Sequence, residues 1–283
     1  MAIGRSRVIV GGVCFLGILL WLSAGALSGA PLTIWDLNSS VTVDPNTDDG
    51  MYGWLVDGTG HLTKQWFWYR IGPDGPETPI NELGDLEVKF TDVNQDPNVE
   101  TVALRYYNDD VEVQMKFTLT GSTAGSGRAD INESVSIKNL TDANMDFHFF
   151  QYCDFDLNGT SDDANVAVTG GNTARQNDEG LVWASETVTT PQPDHHEVDF
   201  FADTLSSLND GNTTTLSDAA GPIGPGNLTW AFQWDFTIGA GDSVPIGKDK
   251  MIVPEPAVGG LLGAGAALLV VRRRRRARRR SRG

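Results

Sequence analysis

The chain has 283 residues, of which 37 are acidic and 21 basic, for a formal net charge of −16. Eleven of the basic residues sit at the two ends, so residues 27–253 hold 36 acids against 10 bases. So acidic a body repels nucleic acid and anionic lipid, which excludes a nucleic-acid function, and it attracts cations. The same stretch has a single cysteine, Cys153. No internal disulfide can form there, and stability rests on packing or bound ions.

The first 26 residues read as a secretory signal peptide. Arg5 and Arg7 precede an apolar stretch, Val8 to Leu22, and small residues follow at Ala24-Gly25-Ala26. Cleavage after Ala26 is preferred, because cleavage after Ala30 leaves Pro31 at the new N-terminus. Export of the body follows.

Residues 27–252 predict one all-β domain, an antiparallel β-sandwich. In KQWFWYR, Trp66 and Trp68 share one face of a strand, and Phe67 and Tyr69 the other. Aromatic rings stack on sugars, so Trp66 and Trp68 are candidate carbohydrate contacts. A strand buried on both sides is the favoured explanation, because sandwich strands are enriched in aromatics. LEVKF and ETVALRYYN are further strands. DVEVQMKFTLTG puts Val111, Val113, Met115, Phe117 and Leu119 on one face and polar residues on the other, the pattern of a half-buried strand. ESVSIKN and NMDFHFFQYC read as a pair joined through residues 139–143.

Next comes CDFDLNGTSDDAN. Asp154, Asp156 and Asn158 alternate, Gly159 follows and then Asp162, the opening of a calcium loop. Position twelve is Asn165 rather than glutamate, so this is not an EF-hand. DVNQDPN (Asp92, Asn94, Asp96) and DPNTDDG share the spacing, which dilutes the signal. The competing explanation is an Asx turn ending a strand. Calcium is the candidate cofactor. Cys153 is a candidate nucleophile near His148 or a structural thiol. In DHHEVD, His195 and His196 point to opposite faces of a strand and do not converge on one metal. LVWASETV, EVDFF and LTWAFQWDFTI complete the strands, with a short helix over 201–210. No catalytic motif of fixed spacing is present.

The C-terminus carries Pro254-Glu255-Pro256, an uncharged run from Ala257 to Val271 and then Arg272, Arg273, Arg274, Arg275 and Arg276, with further arginines beyond. As a transmembrane helix the run rises about 22 Å, short of a bilayer core of about 30 Å. The arginines hold its end on the cytoplasmic side. Pro-Glu-Pro, apolar segment and arginine cluster in that order resemble the PEP-CTERM sorting signal of bacteria, over about the last 30 residues. The resemblance implies an exosortase partner, a transient membrane stage, removal of the tail and delivery to the cell surface or extracellular matrix, alongside exopolysaccharide. The main expectation is therefore a non-enzymatic surface or matrix protein associated with exopolysaccharide. The alternative is a secreted polysaccharide-active enzyme, hydrolase or lyase, on the sandwich. If the tail is the sorting signal, replacing Arg272–Arg276 with serine abolishes surface delivery, which cell fractionation reads; unchanged delivery refutes the assignment.

Overall fold

The computed structural model describes residues 30–255. The signal peptide, Pro256, the apolar run and the arginine cluster lie outside the described residues. Among the described residues no helix is long and apolar enough to cross a membrane.

The described chain is a sandwich of two eight-stranded sheets in which every pairing is antiparallel. Sheet A runs β1 (Leu32–Asp36), β2 (Ser39–Asp44), β3 (Gly50–Val56), β4 (Thr59–Ile71), β10 (Met145–Phe155), β15 (Leu228–Ile238) and β14 (His195–Phe200), with β5 (Thr78–Pro79) beside β4. Sheet B runs β11 (Asn165–Thr169), β12 (Thr173–Asp178), β13 (Val182–Thr190), β16 (Ser243–Pro254), β9 (Ala129–Asn139), β8 (Val111–Thr120), β7 (Thr101–Tyr107) and β6 (Asp85–Thr91). The short helix is α1 (Asp203–Leu208).

Alternation builds sheet B. The odd residues of β8, Val111 to Leu119, are buried and the even ones face outward. In β9 the inward row is Ala129, Ile131, Glu133, Val135, Ile137 and Asn139. The expected pairing of the 133–139 and 144–153 segments is corrected here. β9 pairs with β8 and β16 in sheet B, whereas β10 pairs with β4 and β15 in sheet A. The connection between them crosses from one sheet to the other instead of turning a hairpin. Asn139 fastens that crossing: its Nδ2 donates to the carbonyls of Ala143 (2.7 Å) and Ile238 (3.0 Å).

Sheet A is covered on both faces. Its inner face presents Phe67, Phe147, Phe149, Phe155, Trp230, Phe232 and Trp234 to sheet B, with Phe67 and Phe149 stacked at 5.3 Å and Phe155 and Trp230 at 4.9 Å. Its outer face presents Trp66, Trp68, Phe150 and Tyr152, and these too are fully buried. The short 3-10 turn Ile80–Glu82, α1 and the segment after it lie over them. Trp66 Nε1 donates to Asn81 Oδ1 (2.9 Å) and Trp68 Nε1 to Asn209 Oδ1 (3.1 Å). Gly50, at φ +60°, lets β3 pass Trp66, since a Cβ there would lie 2.2 Å from the indole ring.

At the centre of the sandwich sits a square of charges. Lys248 and Lys250 of β16, Glu133 of β9 and Glu186 of β13 all point inward and are fully buried. Lys248 Nζ lies 2.7 Å from Glu133 and 3.3 Å from Glu186; Lys250 Nζ lies 2.5 Å from Glu133 and 3.0 Å from Glu186. Sheet A supplies the remaining donors. Gln65 Nε2 donates to Glu133 (3.0 Å), Gln151 Nε2 to Glu186 (2.8 Å) and Trp230 Nε1 to Glu186 (2.9 Å). Burial pushes the Glu186 carboxyl up, but Lys250 and Lys248 outweigh it and bring it down to about 2.

Two expectations follow. Lys250→Met leaves a buried carboxylate uncompensated and costs about 3–5 kcal/mol, read as a fall in the denaturant midpoint. The pH dependence runs two ways. Glu186 is depressed, so its contribution is present above about pH 4.5 and is lost as pH falls from there toward 2. Asp130, Asp154 and Asp163 are each raised to about 7, chiefly by burial, so the folded state holds protons the unfolded chain has released, and stability falls as pH rises from about 4 to 7. Thermal melts across pH place the stability maximum near pH 4–5; a maximum at or above pH 7 contradicts this assignment.

Candidate functional site

The outer face of sheet B carries the open concavity. Successive pairings align Glu87, Arg105, Gln114, Ser136 and Pro245 in one row across β6, β7, β8, β9 and β16. The next row is Lys89, Ala103, Lys116, Ser134 and Gly247. The two rows line a groove of about 440 Å³, closed on one side by Thr190 at the end of β13. Its floor is small: Ala103, Ser134, Ser136, Pro245 and Gly247. Its walls are the long side chains of Glu87, Lys89, Arg105, Gln114 and Lys116, whose carbon stems leave most of the exposed lining apolar. Arg105 spans Glu87 (3.1 Å) and Glu112 (2.5 Å) and lies over the Tyr107 ring at 4.1 Å. Floor residues that let a flat ligand approach, with fixed donors and acceptors around them, suit a hydroxyl-rich substrate.

Further along the same face, beyond the residues that line the groove, stand two acids. Asp249 follows Gly247 by one outward position on β16, and Asp130 faces Met251 across the β9–β16 pairing. Burial, the charge of Asp249 and a hydrogen bond shared with it raise the Asp130 carboxyl to about 7. One of the two holds a proton in mild acid, which makes the pair a proton donor on the groove's face of the sheet. Hydrogen-bonded carboxyls stand closer than the roughly 5–9.5 Å separating the two acids of glycosidases. Asp130 and Asp249 therefore supply one acid between them.

The residues singled out from the sequence lie elsewhere. Trp66 and Trp68, the candidate sugar platform, are corrected to core: both are sealed beneath the outer cover of sheet A. Their strand is aromatic on both faces because both faces are buried. Cys153 is buried on the inner face, and burial, aided by the neighbouring Glu186 carboxylate, raises its thiol well above the ordinary value. His148 lies on the opposite face of β10, with its Nδ1 2.5 Å from Asp235. The arrangement is that of an inert structural thiol. His195 turns outward, its Nδ1 3.0 Å from Asp218.

The Asp154–Asp162 loop is likewise not gathered around one point. Asp154 ends β10 in a buried position, Asp156 accepts from Thr63 Oγ1 (2.7 Å), and Asp162 is exposed. Asn158, at φ 57°, donates through Nδ2 to Asp178 (2.8 Å). Among the described residues only Asp36, Asp96 and Glu100 place a carboxylate oxygen each within 4.8 Å of one another. Asp163, passed over in the sequence, is the fully buried neighbour, and its carboxylate accepts from Gln176 (2.6 Å). The groove was also missed. Its signal was the outward phase of β7, β8 and β9, where Arg105, Gln114, Lys116, Ser134 and Ser136 recur, and it required the strand order to be seen.

No protein-family model matches the chain, and no curated protein matches it. Solved structures do. A bacterial glucoamylase complexed with acarbose superposes with a TM-score of 0.53 at 9% identity, over 81% of this chain and 32% of that one. A protein assigned as a kojibiose phosphorylase from the human microbiome gives 0.45 at 8% identity, over 79% of this chain and 30% of that one. A family GH92 α-mannosidase from Bacteroides thetaiotaomicron, bound to mannoimidazole, gives 0.34 at 11% identity, over 76% and 29%. Only the first of these three is close enough to define a shared fold. The chain spans about a third of the length of the glucoamylase it resembles. This likeness corrects the main expectation, a surface or matrix protein, at the level of the fold: the sandwich is shared with part of a bacterial glucoamylase.

Proposed function

We propose that this chain is a secreted polysaccharide-active sandwich that holds a glycan strand in the groove of sheet B, with Asp130 as the proton donor for its cleavage. The observation that carries this reading is the open groove across five strands, walled by Glu87, Arg105, Gln114 and Lys116, on the same sheet face as a carboxyl that keeps its proton to about pH 7. The fold shared with a glucoamylase supports it. Export is read from residues 1–26 and sorting from the C-terminal tail, as the sequence implies.

In this arrangement Gln114, Lys116 and Arg105 donate to sugar hydroxyls, Glu87 accepts from them, and Ser134 and Ser136 let the ring settle on the sheet. Asp130 protonates the glycosidic oxygen as the bond to the anomeric carbon breaks, water adds to that carbon and releases its proton to restore the acid, and the Asp249 carboxylate stabilises the proton before transfer.

The purified protein is screened for binding to extracted polysaccharides and for release of new chain ends. Gln114→Ala and Lys116→Ala each weaken binding about tenfold, the loss of one hydrogen bond to the ligand, with melting temperature unchanged. Asp130→Asn abolishes cleavage and leaves binding intact. Cleavage by the wild type falls as pH rises through 7, because the acid form of Asp130 is lost. Binding that survives filling the groove with Ser134→Trp rejects the groove as the site.

A further inference from the structure

We infer that Asp36, Asp96 and Glu100 form a divalent-cation site, with the ligand chemistry of calcium, that clips the two sheets together at one edge. Each residue presents a carboxylate oxygen within 4.8 Å of the other two. Calcium binds oxygens at about 2.3–2.6 Å, so oxygens on opposite sides of one ion stand about 5 Å apart, and this trio fits within that sphere. The spacing is generous for magnesium, whose ligands lie at about 2.0–2.1 Å in a strict octahedron.

The second observation is Glu100. It is 1% exposed, and one of its oxygens, Oε1, is buried with no hydrogen-bond partner, while Oε2 accepts from the Val93 N–H (2.9 Å). A buried carboxylate oxygen left bare is costly unless something positive meets it. Among the described residues no lysine or arginine forms an ion pair with any of the three acids. The donor between Asp36 and Asp96 is only the Asn94 amide, whose Nδ2 lies 3.4 Å from Asp36 Oδ1 and 3.2 Å from Asp96 Oδ2. The backbone N–H groups of Val93, Asn98 and Gly121 also donate to the three acids, but every donor is neutral and none reaches Glu100 Oε1, so the negative charge stands unbalanced and a dication corrects it.

The backbone makes the site rigid. Asp36 closes β1 in sheet A. Asp96 lies in the loop between β6 and β7, and Glu100 immediately precedes β7, both belonging to sheet B. The Trp35 N–H donates to Val99 O (3.0 Å), the Leu119 N–H to Glu100 O (2.9 Å) and the Gly121 N–H to Asp36 Oδ2 (2.7 Å). Residue 121 must be glycine for this approach, because a Cβ would stand 2.0 Å from the Asp36 carbonyl oxygen. In a body without a disulfide, an ion here joins segments 36, 96–100 and 121, which are distant in sequence and belong to both sheets.

The test uses calcium chloride, chelator and terbium as a luminescent stand-in, with the half-exposed Trp35 beside Asp36 as sensitiser. Calcium at ten times its dissociation constant raises the melting temperature of the purified full chain by about 3–6 °C, and chelator reverses it. Glu100→Gln keeps an acceptor for the Val93 N–H while removing the charge. It abolishes the calcium shift and the terbium signal and leaves the chelated protein at least as stable as wild type, as does Asp96→Asn. The double change Asp154→Asn, Asp156→Asn retains both responses. A wild-type melt indifferent to millimolar calcium, or a calcium response that survives Glu100→Gln, overturns the site.

Discussion

Four charges sealed between two sheets hold this sandwich in register. Lys248 and Lys250 stand two residues apart on β16, and each reaches both Glu133 on β9 and Glu186 on β13. The square is neutral, and it is satisfied from across the interface by Gln65, Gln151 and Trp230 of sheet A. A one-residue slip of β16 turns both lysines to solvent and leaves two buried carboxylates without counter-ions. An apolar interior of the same volume gives at least equal stability, but it tolerates slippage more readily. Here polarity fixes which face of β16 and β9 looks inward.

The groove depends on that choice. With Lys248 and Lys250 inside, Gly247 and Asp249 must lie outside; with Glu133 inside, Asn132, Ser134 and Ser136 must lie outside. The same two strands therefore carry a stabilising charge square on one face and the floor of an open groove on the other. The acid pair Asp130–Asp249 belongs to the outward phase of the same strands. Sheet A plays a different part. Its aromatic residues are covered on both faces, and it supplies bulk and donors to the interior rather than an open surface.

Much of this was legible in the sequence, in uneven measure. The strand β8 was plain because its alternation is unbroken, and α1 because its local pattern stands alone among strands. The partners of β9 and β10 were not, since alternation states that a strand has two faces and says nothing of which strand lies beside it. Trp66 and Trp68 were ambiguous for a similar reason: the cover over them comes from residues 80–82 and 203–216, far along the chain. The charge square did leave a trace. In GKDKMIV, Lys248 and Lys250 run in phase with Ile252, and in ADINESVSIKN, Glu133 runs in phase with Ile131 and Val135. A charge in step with an apolar row marks a buried pair once its partner is known. The cation trio was divided between a strand end and a loop whose alternating Asx residues resembled two other loops, and the convergence of its three carboxylate oxygens within 4.8 Å, which distinguishes it, appears only in three dimensions.

The account stands on sheet B having one working face and one structural face. Amide hydrogen exchange of the protein with and without a bound oligosaccharide tests this most directly. The expected result is added protection confined to β7, β8, β9 and β16, the strands beneath the groove, with the cover of sheet A unchanged. Protection centred on residues 80–82 and 203–216, over Trp66 and Trp68, would contradict it.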